Sequence, residues 1–275
     1  MKAWDPPSLG IGTRCITVHP ARHLKGLDWT VIPDRIEAGT YLEAAAITGS
    51  CLTVAPCILQ HVQPVCDLLW QIGCELEMCV PAPYLKRQIA VMHVVWISIL
   101  ACRGPEDATG QCSITVLQPT GDLRGVNVLA APFPGFPTDM LPQTTALLAT
   151  CEGTSMLRDT VFEGRMKGHV PMISQFARSA ATISQLNPNT TWMDSKSLSG
   201  TDSRRLEACD VRASDLRAGA ALVLCALAAD GESTIQNVSQ ISRGYSKCWQ
   251  KLANVGASIR FERGGKEKFT SAHYG

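Results

Sequence analysis

The sequence has almost no net charge: 25 Lys and Arg against 24 Asp and Glu leave +1 over 275 residues. A protein that coats a polyanion needs a basic excess, so no nucleic-acid partner is expected. Long apolar runs are missing too. The longest, IAVMHVVWISILAC at 89–102, is shorter than the about 20 residues that cross a bilayer. No membrane span is expected, and the run reads as a buried helix or a strand pair. The polar, Pro-rich start at 1–10 carries no secretory signal. The 12 cysteines include no CxxC pair, and Cys74 and Cys79 have no further Cys or His near enough for a zinc site. They read as buried free thiols in a reducing compartment. No Walker loop, no GxGxxG after a strand and no HExxH occur. Redox and nucleotide-triphosphate chemistry are unsupported, and no metal or cofactor is expected.

What is present is repetition. One unit is written three times, each copy led by an Asp and a turn: DRIEAGTYLEAAAITGSCLTV from Asp34, TDMLPQTTALLATCEGTSML around Asp139 and SDLRAGAALVLCALAADGESTI around Asp215. The second halves read HVQPVCDLLWQIGCELEM, FEGRMKGHVPMISQFARSAATI and ISRGYSKCWQKLANVGASIRF. The repeats span about 34–80, 132–183 and 209–261 of a single domain, and each reads as strand–helix–strand–helix–strand. Asp34 caps a helix over 35–48 that Gly49 stops, and Gly73 ends the next. A helix over 216–229 stops at Asp230-Gly231. Another over 246–255 turns Trp249, Leu252 and Val255 inward, ahead of Gly256. CITVHPA and WTVIP are expected as short strands before the first repeat. Residues 81–127 break the rhythm and read as an insertion, with SITVLQP and VNVLAAP as strands. NPNTTWMDSKSLSG is turn-rich, and the tail from Glu262 reads as frayed. The Ala- and Leu-rich helices have little polar surface, which places them inside with the sheets outside.

Two groups of residues could carry chemistry. In PGFPTD two prolines and a glycine stiffen the loop that presents Asp139 at a helix mouth. Alone, Asp139 is either a helix N-cap, as Asp34 and Asp215 would be, or a general base held toward a hydroxyl. Arg165, Arg217 and Arg243 lie at related repeat positions near helix starts. They are either solvated surface cations or a convergent site for a small anion with phosphate and carboxylate groups. His169, near Arg165 in sequence, reads as a core or surface residue.

PDRIEAGTYLEAAAITG (33–49), PFPGFPTDM (132–140), EGTSMLRDTVFEGR (152–165), DLRAGAALVL (215–224) and ISRGY (241–245) closely resemble the UDP-N-acetylglucosamine 1-carboxyvinyltransferases, over about 10–80 and 128–262. The shikimate-pathway enolpyruvyl transferases share the fold but resemble this chain less. The resemblance implies an inside-out α/β barrel of repeated βαβαββ units. It implies transfer of the enolpyruvyl group of phosphoenolpyruvate to the 3-hydroxyl of UDP-N-acetylglucosamine, the first committed step of peptidoglycan synthesis. It makes Asp139 the sugar-contacting base and has Val161 touch the nucleotide sugar. Arg165, Arg217 and Arg243 would line the phosphoenolpyruvate side, and Asp215 would assist proton traffic.

The resemblance reaches only the C-terminal of two domains. The Lys-Asn pair and the Cys-bearing (or Asp-bearing) loop of the N-terminal domain have no counterpart, nor has the first strand that the N-terminus supplies. Met140-Leu141-Pro142 replaces the usual Met-Gln-Ala. Two readings stay open: the C-terminal part of an enolpyruvyl transferase, with a separate N-terminal half as partner, or an inactive remnant that binds UDP-sugar or a partner half. A bacterial cytoplasm is the expected location, with a plastid of a photosynthetic eukaryote as the alternative.

Overall fold

A computed structural model describes residues 8–10, 13–20, 26, 28–81, 98–102, 111–178, 180–195, 206–262 and 268–273. The chain divides into two compact units, Met1–Ile32 and Pro33–Gly275. In the first, β1 (Ser8–Leu9) and β2 (Thr17–Val18) form an antiparallel pair. The expected strand at WTVIP does not form: 29–33 is irregular, with Val31 and Ile32 exposed.

The second unit holds the repeats. The first runs α1 (Arg35–Ile47), β3 (Leu52–Ile58), α2 (Leu59–Ile72), β4 (Leu76–Pro81), β5 (Ser98–Cys102) and β6 (Gln111–Val116). The second runs β7 (Val128–Ala130), α3 (Leu141–Leu148), β8 (Thr154–Asp159), α4 (Met166–Phe176), β9 (Ala181–Asn187) and β10 (Thr190–Ser195). After β11 (Leu206–Glu207), the third runs β12 (Asp210–Arg212), α5 (Leu216–Ala228), β13 (Ala229–Gln236), α6 (Ser239–Ser242), α7 (Cys248–Asn254), β14 (Ile259–Glu262) and β15 (Lys268–His273).

The three sheets of this unit share an antiparallel three-strand core. In the second, β7 lies parallel to β8, then β10 and β9 follow antiparallel. In the third, β12 lies parallel to β13, then β15 and β14 follow. In the first, β3, β6 and β4 repeat the antiparallel part, and β5 is added parallel to β4. The last strand of every unit therefore inserts between two earlier ones. Each of these strands lies beyond the boundary drawn from sequence. β6 forms at the expected strand SITVLQP but falls within the stretch read as an insertion, β10 lies within the turn-rich segment, and β15 within the tail read as frayed. Phe269 of β15 is fully buried. The remainder of the 89–102 run ahead of β5 lies outside the described residues.

The helices sit inside. α1, α3 and α5 pack on one another, and every residue of α3 is buried. The strands carry the wet face: β8 alternates exposed and buried along its length, a half-buried pattern. Local signals set the ends. Asp34 accepts the Ile36 N–H at 2.8 Å, and Asp215 accepts those of Arg217 and Ala218 at 2.9 Å. Gly49 and Gly73 leave their helices at φ 63 and 109. α5 passes directly into β13, so Asp230-Gly231 lies in the strand rather than at the helix stop. Trp249 and Leu252 face inward as expected, while Val255 is 59% exposed because α7 ends at Asn254. Cys57, Cys66, Cys74, Cys112, Cys225 and Cys248 are buried free thiols, but Cys79 is disulfide-bonded. No helix among the described residues is long and apolar enough to cross a membrane.

Candidate active site

The PGFPTD loop closes on itself. Gly135 N–H donates to the Pro132 carbonyl at 2.8 Å, and Ala131 N–H donates to the Phe136 carbonyl at 3.0 Å. A Cβ on Gly135 would lie 2.8 Å from the Ala131 Cβ, so the turn requires glycine. The loop ends in a 3-10 turn, Thr138–Met140, that presents Asp139 ahead of α3. Asp139 is not an N-cap, since no side chain caps α3, whose first turn is relieved by Pro142 instead. Its carboxylate meets Arg165 Nη2 at 2.7 Å and Arg217 Nη2 at 3.2 Å.

Each arginine is itself held. β8 ends at the buried Asp159, whose Oδ1 accepts the Val161 and Phe162 N–H groups at 2.8 and 3.2 Å. Its Oδ2 accepts the Thr138 hydroxyl at 2.6 Å, and Thr138 Oγ1 accepts Arg165 Nη1 at 2.9 Å. The Arg165 guanidinium lies 5.2 Å from the Phe162 ring centroid. On the other side, Arg217 Nη1 donates to the Tyr245 hydroxyl at 3.1 Å. Burial alone would depress the Arg217 guanidinium, but Tyr245 and Asp139 outweigh it and hold it above its usual value. Tyr245 is buried, and its hydroxyl also meets Thr40 Oγ1 and Gln143 Nε2, both at 3.0 Å. The result is an ion triplet on a rigid turn, open on one side: the Asp139 side chain is 35% exposed. It can offer a carboxylate to a hydroxyl and two guanidinium groups to an anion. A separate depression of about 290 Å³, lined by Asp34, Tyr41, Pro56 and Lys251 among others, contains none of these residues.

The sequence pattern of EPSP synthase (3-phosphoshikimate 1-carboxyvinyltransferase) matches residues 10–252. The chain belongs to this family. It is 38% identical over 250 residues to the UDP-N-acetylglucosamine 1-carboxyvinyltransferase 2 of Prochlorococcus marinus, covering 91% of this chain and 48% of that one. The corresponding transferase of Finegoldia magna is 34% identical, covering 91% and 49%. The chain thus spans about half the length of the curated relatives it matches. Among solved structures, the enolpyruvyl transferase NikO from Streptomyces tendae has a TM-score of 0.60 at 22% identity, over 90% of this chain and 46% of that one. EPSP synthase from Acinetobacter baumannii has a TM-score of 0.50 at 10% identity, over 90% and 47%. These likenesses establish the enolpyruvyl transferase fold, with its central helices and outer sheets.

Within this family fold the residues singled out from sequence divide. Asp139, Arg165 and Arg217 come together. Val161 joins the rim through its N–H to Asp159. Asp215 stands apart: its Oδ1 caps α5 and its Oδ2 accepts the Ser214 hydroxyl at 3.0 Å. Arg243 is exposed at the end of α6, and its side chain reaches Gln240 Oε1 at 3.4 Å. His169 is a core residue, 2% exposed, which burial keeps neutral with its pKa pulled down to about 4. Sequence reading missed Thr138, Asp159, Tyr245, Thr40 and Gln143. Thr40, Thr138, Asp159 and Tyr245 lie inside quoted motifs. Thr40 and Gln143 had a further signal: they are polar residues on helices read as buried on most sides, where polar groups need partners. No group of three metal-ligating side chains occurs among the described residues.

Proposed function

We propose that this chain forms the C-terminal part of an enolpyruvyl transferase that moves the enolpyruvyl group of phosphoenolpyruvate onto the 3-hydroxyl of UDP-N-acetylglucosamine. The observation that carries this reading is the Asp139 carboxylate held between Arg165 and Arg217 on a rigid turn. Asp139 takes the hydroxyl proton as the sugar oxygen bonds to C2 of phosphoenolpyruvate and C3 gains a proton. The C2–O bond to phosphate then breaks and C3 loses a proton, leaving the enol ether and inorganic phosphate. Arg165 and Arg217 bind the phosphate and carboxylate charges, and the exposed Arg243 supplies a further cation. Val161 lies beside them at the nucleotide-sugar side, and Asp215 assists proton traffic. The sugar nucleotide is favoured by the names of the relatives at 34–38% identity. In a bacterial cell the reaction belongs to the cytoplasm, where it opens peptidoglycan synthesis.

The alternative reading is an inactive remnant that binds UDP-sugar or a partner half without the domain closure that turnover needs to exclude water. The test is phosphate release from phosphoenolpyruvate and UDP-N-acetylglucosamine, by this chain alone and with an added N-terminal domain from a relative. Little turnover alone and activity on mixing are expected. Silence in both, with a folded chain by circular dichroism, favours the remnant. Asp139→Asn should abolish the activity without unfolding the chain, and retained turnover would remove Asp139 as the base.

A further inference from the structure

We infer that Tyr245 is a positioning residue, whose hydroxyl, oriented by Thr40 and Gln143, fixes the angle at which Arg217 faces Asp139 and an incoming anion. The argument is donor accounting. The Thr40 hydroxyl donates its single proton to the Ile36 carbonyl at 2.8 Å. At the Tyr245 contact Thr40 Oγ1 therefore accepts, and Tyr245 must be the donor. The two acceptor positions left on the phenol oxygen face Arg217 Nη1 at 3.1 Å and Gln143 Nε2 at 3.0 Å. Gln143 Nε2 also donates to Thr40 Oγ1 at 3.0 Å, so both of its protons are placed. The chain of bonds has one direction: Arg217 and Gln143 donate to Tyr245, Tyr245 to Thr40, and Thr40 to the backbone of α1.

This small network joins all three repeats. Thr40 comes from α1, Gln143 from α3, Arg217 from α5, and Tyr245 from the turn after α6. Thr40, Gln143 and Tyr245 are 5%, 0% and 2% exposed, so water cannot replace a lost partner. With Nη1 fixed on the phenol, the planar guanidinium turns Nη2 toward Asp139 Oδ2. Phenylalanine at 245 would keep the ring beneath the guanidinium and remove only the oxygen. Arg217 would then lose the contact that sets its rotation.

The inference rests on the functional reading only for what Arg217 serves, and the experiment separates the two. Thr40→Val keeps the shape of the side chain and removes its hydroxyl; Thr40→Ser keeps the hydroxyl. The Arg217 side-chain NH signals are followed by NMR in the full chain, assigned with Arg217→Lys, and phosphoenolpyruvate affinity is measured by calorimetry. Tyr245→Phe and Thr40→Val should speed solvent exchange of the Arg217 NH protons by about tenfold or more, with Thr40→Ser close to wild type. Affinity should fall in the same two variants. Unchanged exchange in a folded Thr40→Val would overturn the inference, and equal loss in Thr40→Ser would reduce the network to packing. If Tyr245→Phe does not fold, the Thr40 pair decides. Altered exchange with no phosphoenolpyruvate binding by wild type, either alone or mixed with the N-terminal domain of a relative, would sustain the positioning role and remove the functional reading.

Discussion

Glu43 lies in the middle of α1 with no exposed surface. The Thr144 hydroxyl donates to its Oε1 at 2.8 Å, while Oε2 has no partner among the described residues. Burial pushes its carboxyl up to about 8, against the Thr144 bond, so it folds neutral. A folded value raised above the ordinary 4.5 gives stability that is full below about 4.5 and is lost as pH rises through about 8. His169 has the opposite sign. Burial first, and Arg165 after it, pull it down to about 4 against Asp215, so its contribution holds above about 6.5 and is lost as pH falls through about 4. Glu43→Gln should therefore flatten the alkaline decline. Unfolding free energies from urea titrations should fall by on the order of 2 kcal/mol between pH 6.5 and pH 9 in wild type, where the His169 contribution is nearly constant, and by little in the variant. Equal slopes would show that Glu43 is not held neutral. Neither group was legible from sequence: a Glu in an Ala-rich helix reads as surface until the neighbouring helices are known.

At the scale of elements, the helix packing depends on close approach. A Cβ on Gly219 of α5 would lie 2.7 Å from Ile241 Cγ1 and 3.2 Å from the Ala213 Cβ. Those atoms belong to a branched side chain and a methyl that cannot swing away. A Cβ on Gly39 of α1 would meet the Met140 Cε at 3.1 Å and Sδ at 3.2 Å, the end of a flexible chain. Gly219→Ala should cost about 1–3 kcal/mol and Gly39→Ala clearly less, measured by thermal melting. A reversed order would mean that α6 moves more easily than Met140. Helix ends were readable because they are local. Asp34, Asp215, Gly49 and Gly73 act within a few residues of their own position. The same locality misled at Asp139, which looks like a third cap but bonds two arginines 26 and 78 residues away.

In the whole molecule, each repeat is closed by a strand that arrives last in sequence and inserts centrally. β15 lies between β13 and β14, and its buried Phe269 sits 5.0 Å from the Trp249 ring. Phe269→Ala should cost about 3–5 kcal/mol in chemical denaturation. Removing residues 263–275 should cost more, leaving the third repeat open to proteolysis while the first two resist it longer. A truncated chain as resistant as wild type would show that β15 is peripheral. The strand was missed because KFTSAH carries one large apolar residue. β10 was hidden by its polar Thr190, Thr191 and Asp194 within a turn-rich stretch, whereas β6 overlaps the strand expected at SITVLQP and only its membership of the first repeat was missed.

The sequence by itself determined the repeat, the helix ends, the buried character of the central helices and the motif that marks the family, because these depend on spacing and on neighbours along the chain. The tertiary structure alone decided which strands complete each sheet, since a short polar strand gains its stability from ladders to residues far away. It also decided which of the charged residues converge. Asp139 and Arg217 meet only because α3 and α5 pack side by side, and Thr40 and Gln143 matter only because the same packing brings Tyr245 between them.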